Sequence, residues 1–170
     1  MELGLFENPY VDPDQAQQIA DDPASQAKAD EAHRKSIVLL RNDDNTLPLN
    51  NNTVEDIKLY VEVFSSGNSA QTRTADLKKS ITQYDPAIQV VDNLEDATHA
   101  LVYAIPNTVP DRPDIPLSVA LGAETGINVE RIKEIEEAVP TILTVNMTSP
   151  WLIGEIEENA AATLAVFGVK

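Results

Sequence analysis

The sequence predicts an α/β fold, a mainly parallel sheet with helices on both faces in three layers. Apolar runs of strand length recur along the chain, at residues 36–40, 57–64, 88–91, 99–105, 141–145 and 161–169, with helix-patterned segments between several of them. Several of these runs are apolar at both odd and even positions, the signature of strands buried on both faces. Crossover segments of about 10–15 residues suit right-handed parallel connections. Together these place 57–63, 99–105, 141–145 and 162–167 as adjacent or near-adjacent strands of one sheet.

The elements follow in order. Residues 1–22 are polar and carry Pro9, Pro13 and Asp21-Asp22, so they read as an extended linker with a short helical piece near 15–19. Asp22-Pro23 is a helix start, an acidic N-cap followed by proline at the first helical position. Alanines at 24, 27, 29 and 32 carry that helix to about His33. After the strand at 36–40, residues 42–53 are dense in Asn and Asp and form a loop, with Leu47-Pro48-Leu49 pinning part of it to the core. In 57–64, Ile57, Leu59, Val61 and Val63 share one face, and Tyr60 and Phe64 keep the other apolar. Ser-Ser-Gly-Asn at 65–68 makes a turn, and Ser69 caps a helix whose inward positions are Thr74, Leu77, Ile81 and Tyr84. Residues 106–116 hold four of the eleven prolines and exclude regular structure. Asn128 caps a helix with Val129, Ile132 and Ile135 inward and Glu130, Lys133, Glu134, Glu136 and Glu137 outward, and Pro140 stops it. The hydroxyls of Thr148 and Ser149 cap a further helix carrying Trp151, Leu152, Ile153 and Ile156, with Trp151 packed inward. The domain division is therefore a linker at 1–22 and an α/β domain at 23–170.

Composition narrows the functional classes. With 28 acidic and 12 basic residues, the net charge of −16 repels phosphate backbones and anionic lipid, against nucleic-acid and membrane-surface partners. Neutral sugars are compatible with it, since they need hydrogen bonds and aromatic faces. The chain has no cysteine, hence no disulfide or thiolate chemistry, and no apolar run long enough to span a bilayer.

Three blocks carry a resemblance: Gly4-Leu5-Phe6-Glu7-Asn8-Pro9-Tyr10, Lys35-Ser36-Ile37-Val38-Leu39-Leu40-Arg41-Asn42, and Leu47-Pro48-Leu49. They resemble the junction in glycoside hydrolase family 3 where the chain leaves the catalytic barrel and enters a second α/β domain, with Arg41 in place of the usual Lys. Residues 140–146 and 162–169 look like late strands of that domain. The resemblance implies the C-terminal α/β sandwich of a retaining β-glucosidase-like enzyme, as a piece without its barrel and without the segment that runs to a G-x-L-P block. It implies as partners the absent barrel domain and a carbohydrate substrate. It also implies an exposed apolar patch where the missing parts would pack, and a loosely held segment at 1–19.

Retaining hydrolysis needs two carboxyl groups about 5–5.5 Å apart, one as nucleophile and one as acid/base. The family's nucleophile is a barrel aspartate, so no residue here takes that role, and the chain alone is expected to be inactive. The family's acid/base is often a glutamate before an Asp-Arg pair on a second-domain loop. Asp111-Arg112 echoes that pair and supplies candidate substrate contacts, with Asp114 nearby, but the position three before Asp111 is Thr108. Glu124, flanked by Gly122 and Gly126, is the only glutamate between this loop and the next helix and is the acid/base candidate.

Other chemistries find little support. Ser-Ser-Gly-Asn at 65–68 lacks a phosphate-binding glycine pattern and a P-loop lysine. His33 and His99 have no ligand spacing, so neither a metal nor a cofactor is expected; His99 reads as an edge-strand residue and His33 as a favourable charge at a helix C-terminus. Asn51-Asn52-Thr53 and Asn146-Met147-Thr148 match the short N-glycosylation pattern, with Asn146 at the end of a buried strand. No nucleophile elbow is present. Two other readings stand beside the first: a non-catalytic α/β carbohydrate-binding or docking module, and a free-standing receiver-like or Rossmann-like regulatory domain. The latter lacks an acidic cluster at the end of its first strand and a strand-end lysine.

Overall fold

The computed structural model describes residues 10–49, 57–108 and 119–168. Contacts divide the chain into two compact units, Met1–Ser36 and Ile37–Lys170.

The first unit holds two helices, each started by a carboxylate. Asp12 accepts from the amides of Asp14 and Gln15 to open α1, Pro13–Ala20. Asp22 accepts from Ser25 N–H and Oγ–H to open α2, Pro23–Lys35. In both, proline occupies the position whose amide would go unpaired. His33, Arg34 and Lys35 fill the last turn of α2, where positive charge meets the carbonyl end of the helix dipole.

The second unit is a six-stranded sheet. Its strands are β1 (Val38–Asn42), β2 (Lys58–Ser65), β3 (Gln89–Val91), β4 (His99–Ile105), β5 (Thr141–Asn146) and β6 (Ala162–Val166). Their spatial order is β1-β6-β5-β4-β2-β3, parallel throughout except for β1, which runs antiparallel to β6. The four runs expected to be adjacent or near-adjacent are contiguous, and the mainly parallel α/β fold is as predicted. Helices α3 (Ser69–Tyr84), α4 (Val129–Ala138) and the single turn α5 (Gly154–Glu157) follow β2, β4 and β5.

Strand alternation sorts the core into two layers. Ala100, Val102 and Ala104 of β4 join Leu143 and Val145 of β5 against Ile132 and Ile135 of α4 and Ile156 of α5. On the opposite face, Ile57, Leu59 and Val61 pack with Leu77 and Ile81 of α3 and with Leu49. Leu49 thus anchors the loop after β1, as its apolar neighbours suggested. Strand order reverses beside β2: β3 lies on one side of it, β4 and all later strands on the other. That reversal puts α3 on one face and α4 on the other.

Several expectations need correction. Ser69 is the first residue of α3 rather than its cap, and its hydroxyl donates to the Ser66 carbonyl at 3.0 Å. Tyr84, assigned inward, is 92% exposed: it is the last residue of α3, beyond Leu77 and Ile81, which pack on the sheet. Residues 151–153 are not helical: Leu152 forms a parallel bridge with Ala120, and α5 starts only at Gly154, without a side-chain cap. Thr148 and Ser149 therefore cap nothing there. His99 opens an interior strand, paired on one side by β2. Its Nδ1 lies 3.1 Å from the Thr98 hydroxyl, and burial holds its imidazole below the ordinary range. Glu136, assigned outward, is buried; it stands one turn beyond Ile132 on the same stripe of α4 that faces the sheet.

Candidate functional site

In a sheet of this type the natural ligand position is the crevice beyond the carboxyl ends of the strands where strand order reverses, here between β2 and β4. A hollow of about 600 Å³ lies at that point, lined by Ser65, Ser66 and Gly67 after β2 and by Gly122, Ala123 and residues 126–130 ahead of α4. Its two walls are tied together. Asn107, just past β4, donates through its side chain to the Ser66 hydroxyl, and its backbone amide donates to the Thr125 carbonyl at 2.9 Å. Thr125 is buried and closes its own turn, its hydroxyl donating to the Gly122 carbonyl at 2.8 Å and accepting from the Gly122 amide at 3.0 Å. Gly126 has φ of +81°, and a Cβ there would run into the backbone of Ser65 and Ser66. Glycine is required at this position for conformation and for space.

Beyond Gly126, Asn128 accepts from the Arg131 amide at 3.1 Å and opens α4, as its type predicted. Glu130 follows in the first turn and lines the hollow. Glu124 is exposed on the 3-10 turn Ala123–Thr125, between the lining residues Ala123 and Gly126, but is not itself in the lining. Asp111, Arg112 and Asp114 lie outside the described residues, as do the blocks at 4–9 and 51–53. The structure therefore brings Glu124 to the rim of the crevice. It also adds Glu130 and the Asn107–Ser66 tie, which the sequence reading passed over. The usable signal for Glu130 was its place just after the Asn128 cap, at the mouth of a helix that follows a central strand.

A second hollow of about 470 Å³ adjoins the same end of the sheet, lined by Ala120, Leu121 and residues 151–155. Trp151 sits in its wall, 4% exposed, with Nε1 buried and unpartnered. This is a packing role, as its apolar setting indicated. Asn146 ends β5 buried, accepting from the Gly168 amide at 3.3 Å. Among the described residues no group of three or more His, Cys, Asp or Glu could hold a metal ion.

A probable β-glucosidase C of Aspergillus flavus is 29% identical over 168 residues, which is 98% of this chain and 24% of that protein. The corresponding protein of Aspergillus oryzae matches equally, at 29% over 168 residues. The chain is related to the family 3 β-glucosidases. It spans about a quarter of the length of these curated relatives. No protein-family model matches it. Among solved structures, a β-glucosidase from Listeria innocua superposes over 97% of this chain and 26% of its own, with a TM-score of 0.68 at 18% identity. At that identity the likeness speaks for the fold alone.

Proposed function

We propose that this chain is the second, C-terminal domain of a family 3 glycoside hydrolase and completes the sugar pocket of a retaining β-glycosidase whose nucleophile lies outside it. The reading is carried by one observation: the similarity to β-glucosidases runs over 98% of this chain yet occupies 24% of the relative. The site geometry agrees with a pocket-completing role. The crevice beyond β2 and β4 has glycine-lined walls, an asparagine–serine tie and two glutamates at its edge, but offers no motif like the family's nucleophile segment. In this reading residues 1–22 are the incoming linker and 23–170 the sandwich. The remaining partner is a barrel domain of the same polypeptide.

The weaker part of the proposal assigns Glu124 as acid/base and Asp111 and Arg112 as substrate contacts. Exposure gives Glu124 access to a partner surface. Its absence from the lining of the hollow favours a second reading, a non-catalytic module that docks or binds sugar without supplying a proton.

Joining the 170 residues to an upstream barrel and assaying an aryl β-glucoside tests both. The chain alone should show no turnover, and the joined protein should be active. If Glu124 is the acid/base, Glu124→Gln in the joined protein should slow natural glycosides by about 10²–10⁴-fold. Aryl glycosides with good leaving groups should lose far less in the glycosylation step, and azide should restore part of deglycosylation. Normal kinetics for that variant would favour the non-catalytic reading. Turnover by the 170 residues alone, lost on mutating a carboxylate within them, would overturn the division of labour.

A further inference from the structure

We propose that Glu136 is a pH-sensitive element that governs how firmly the α5 corner is tied to the edge strand β1. Its carboxylate is shut off from solvent, 8% exposed, and neither oxygen has a hydrogen-bond partner. It sits on α4 beside the fully buried Ile135, and α4 packs against α5.

Three charged groups act on it from the surrounding elements. The charge of Glu157 on α5 pushes its carboxyl up, while Arg41 on β1 and Lys133, one turn back on its own helix and 4.0 Å from Glu155, act in the opposite sense. Arg41 is the tie itself. Its Nη1 donates to the Glu157 carboxylate at 3.0 Å and to the Glu157 carbonyl at 2.7 Å, and both Nη atoms reach the Glu158 carbonyl at 3.1 Å. Its Nε donates to Asp43 at 2.8 Å. One guanidinium thus clamps the end of α5 to the end of β1.

A buried carboxyl without a partner is tolerable while neutral and costly when ionised. Burial first, and the negative Glu157 second, push Glu136 up to about 7, against the pull of Arg41 and Lys133. The folded-state value thus exceeds the unfolded one. Glu136 then contributes its full stabilisation below the unfolded value, and that contribution fades as pH rises through about 7. Once ionised, Glu136 repels Glu157 and competes with it for Arg41, so the clamp loosens from the α4 side.

The test compares the 170-residue chain with its Glu136→Gln variant, which keeps shape and removes the charge. Urea unfolding from pH 4 to pH 8 should show similar stability at pH 4, below the ordinary glutamate value. By pH 8 the wild-type folding constant should fall about tenfold or more relative to the variant. Amide exchange compared at matched pH should show excess opening in the wild type at 154–161 and at Asp43, whose amide donates to the Ala161 carbonyl. A wild-type-to-variant ratio that stays constant across pH, or a loss of stability with no local excess at this corner, would overturn the proposal. Should the variant fail to fold, carbon NMR of the wild-type Glu136 carboxyl decides. A midpoint near 7 supports the device, and one in the ordinary glutamate range ends it.

Discussion

One row of paired residues crosses the sheet from β2 to β1: Val63, Tyr103, Thr144, Leu164, Leu39. At the β2 end, on the face that carries α3, Val63 is 3% exposed; at the β1 end Leu39 is 50% exposed. The next row, on the opposite face, runs through Val102, Leu143 and Thr163, all at 0% exposure, before reaching Arg41. Strands that read as apolar on both faces are thus sealed on the α4–α5 face and graded from sealed to open on the α3 face. Two-faced apolar character marks where cover is needed and does not say which element supplies it. Ile37, Val38 and Leu40 are also about half exposed, so the open region continues around the β1 edge. In the proposed larger enzyme, this is the surface on which the rest of the polypeptide would pack.

The sharpest way to break the contrast is at its sealed centre. Leu143→Ala should cost about 2–5 kcal/mol, read from urea midpoints, since it empties a site walled by α4 and α5. Gly126→Ala should follow, with about 1–3 kcal/mol from the positive φ alone and more from its collision with Ser65 and Ser66. The same variant should shift amide resonances of the Ser65–Gly67 wall while leaving β1 unmoved. Leu77→Ala, under the half-buried side of α3, should cost about 1–2 kcal/mol. Leu39→Lys should change the stability of the 170-residue chain by no more than about 0.5 kcal/mol and reduce self-association in sedimentation. If Leu39→Lys destabilised as strongly as Leu143→Ala, the open region would be covered in solution. If it did so only within a longer polypeptide, the proposed packing surface would be located.

Much of the fold was legible because its signals are local. Asp22-Pro23, Asn128 and Pro140 bound their helices through rules acting within one turn, and strand runs at 57–64, 99–105 and 141–145 announced themselves by composition. The misreadings came where position in the whole decides. Tyr84 has the spacing of a core residue, but it ends α3 and stands 92% exposed. Glu136 has the chemistry of a surface residue, but it shares a stripe with Ile132. Residues 151–153 have a helical composition, but Ala120 recruits Leu152 into a bridge. At the site, Glu124 was found because it is the only glutamate in its loop. Glu130 was missed because its importance comes from the crevice between β2 and β4, which emerges only where strand order reverses.

The antiparallel strand has a consequence for how the molecule is made. β1 opens the second unit, yet its partner is β6, and Val38 finds Ala165 only after nearly the whole unit has intervened. At synthesis rates of about 5–20 residues per second, β1 waits on the order of ten seconds with its apolar side chains unpaired. Closing so long a loop is also the slow kind of step in folding, because its entropy is lost before the contacts that repay it form. A nascent chain arrested before residue 162 should therefore hold β2, β4 and β5 in native order while 37–42 stays open to proteases and to chaperones, and release past β6 should close that window in one step.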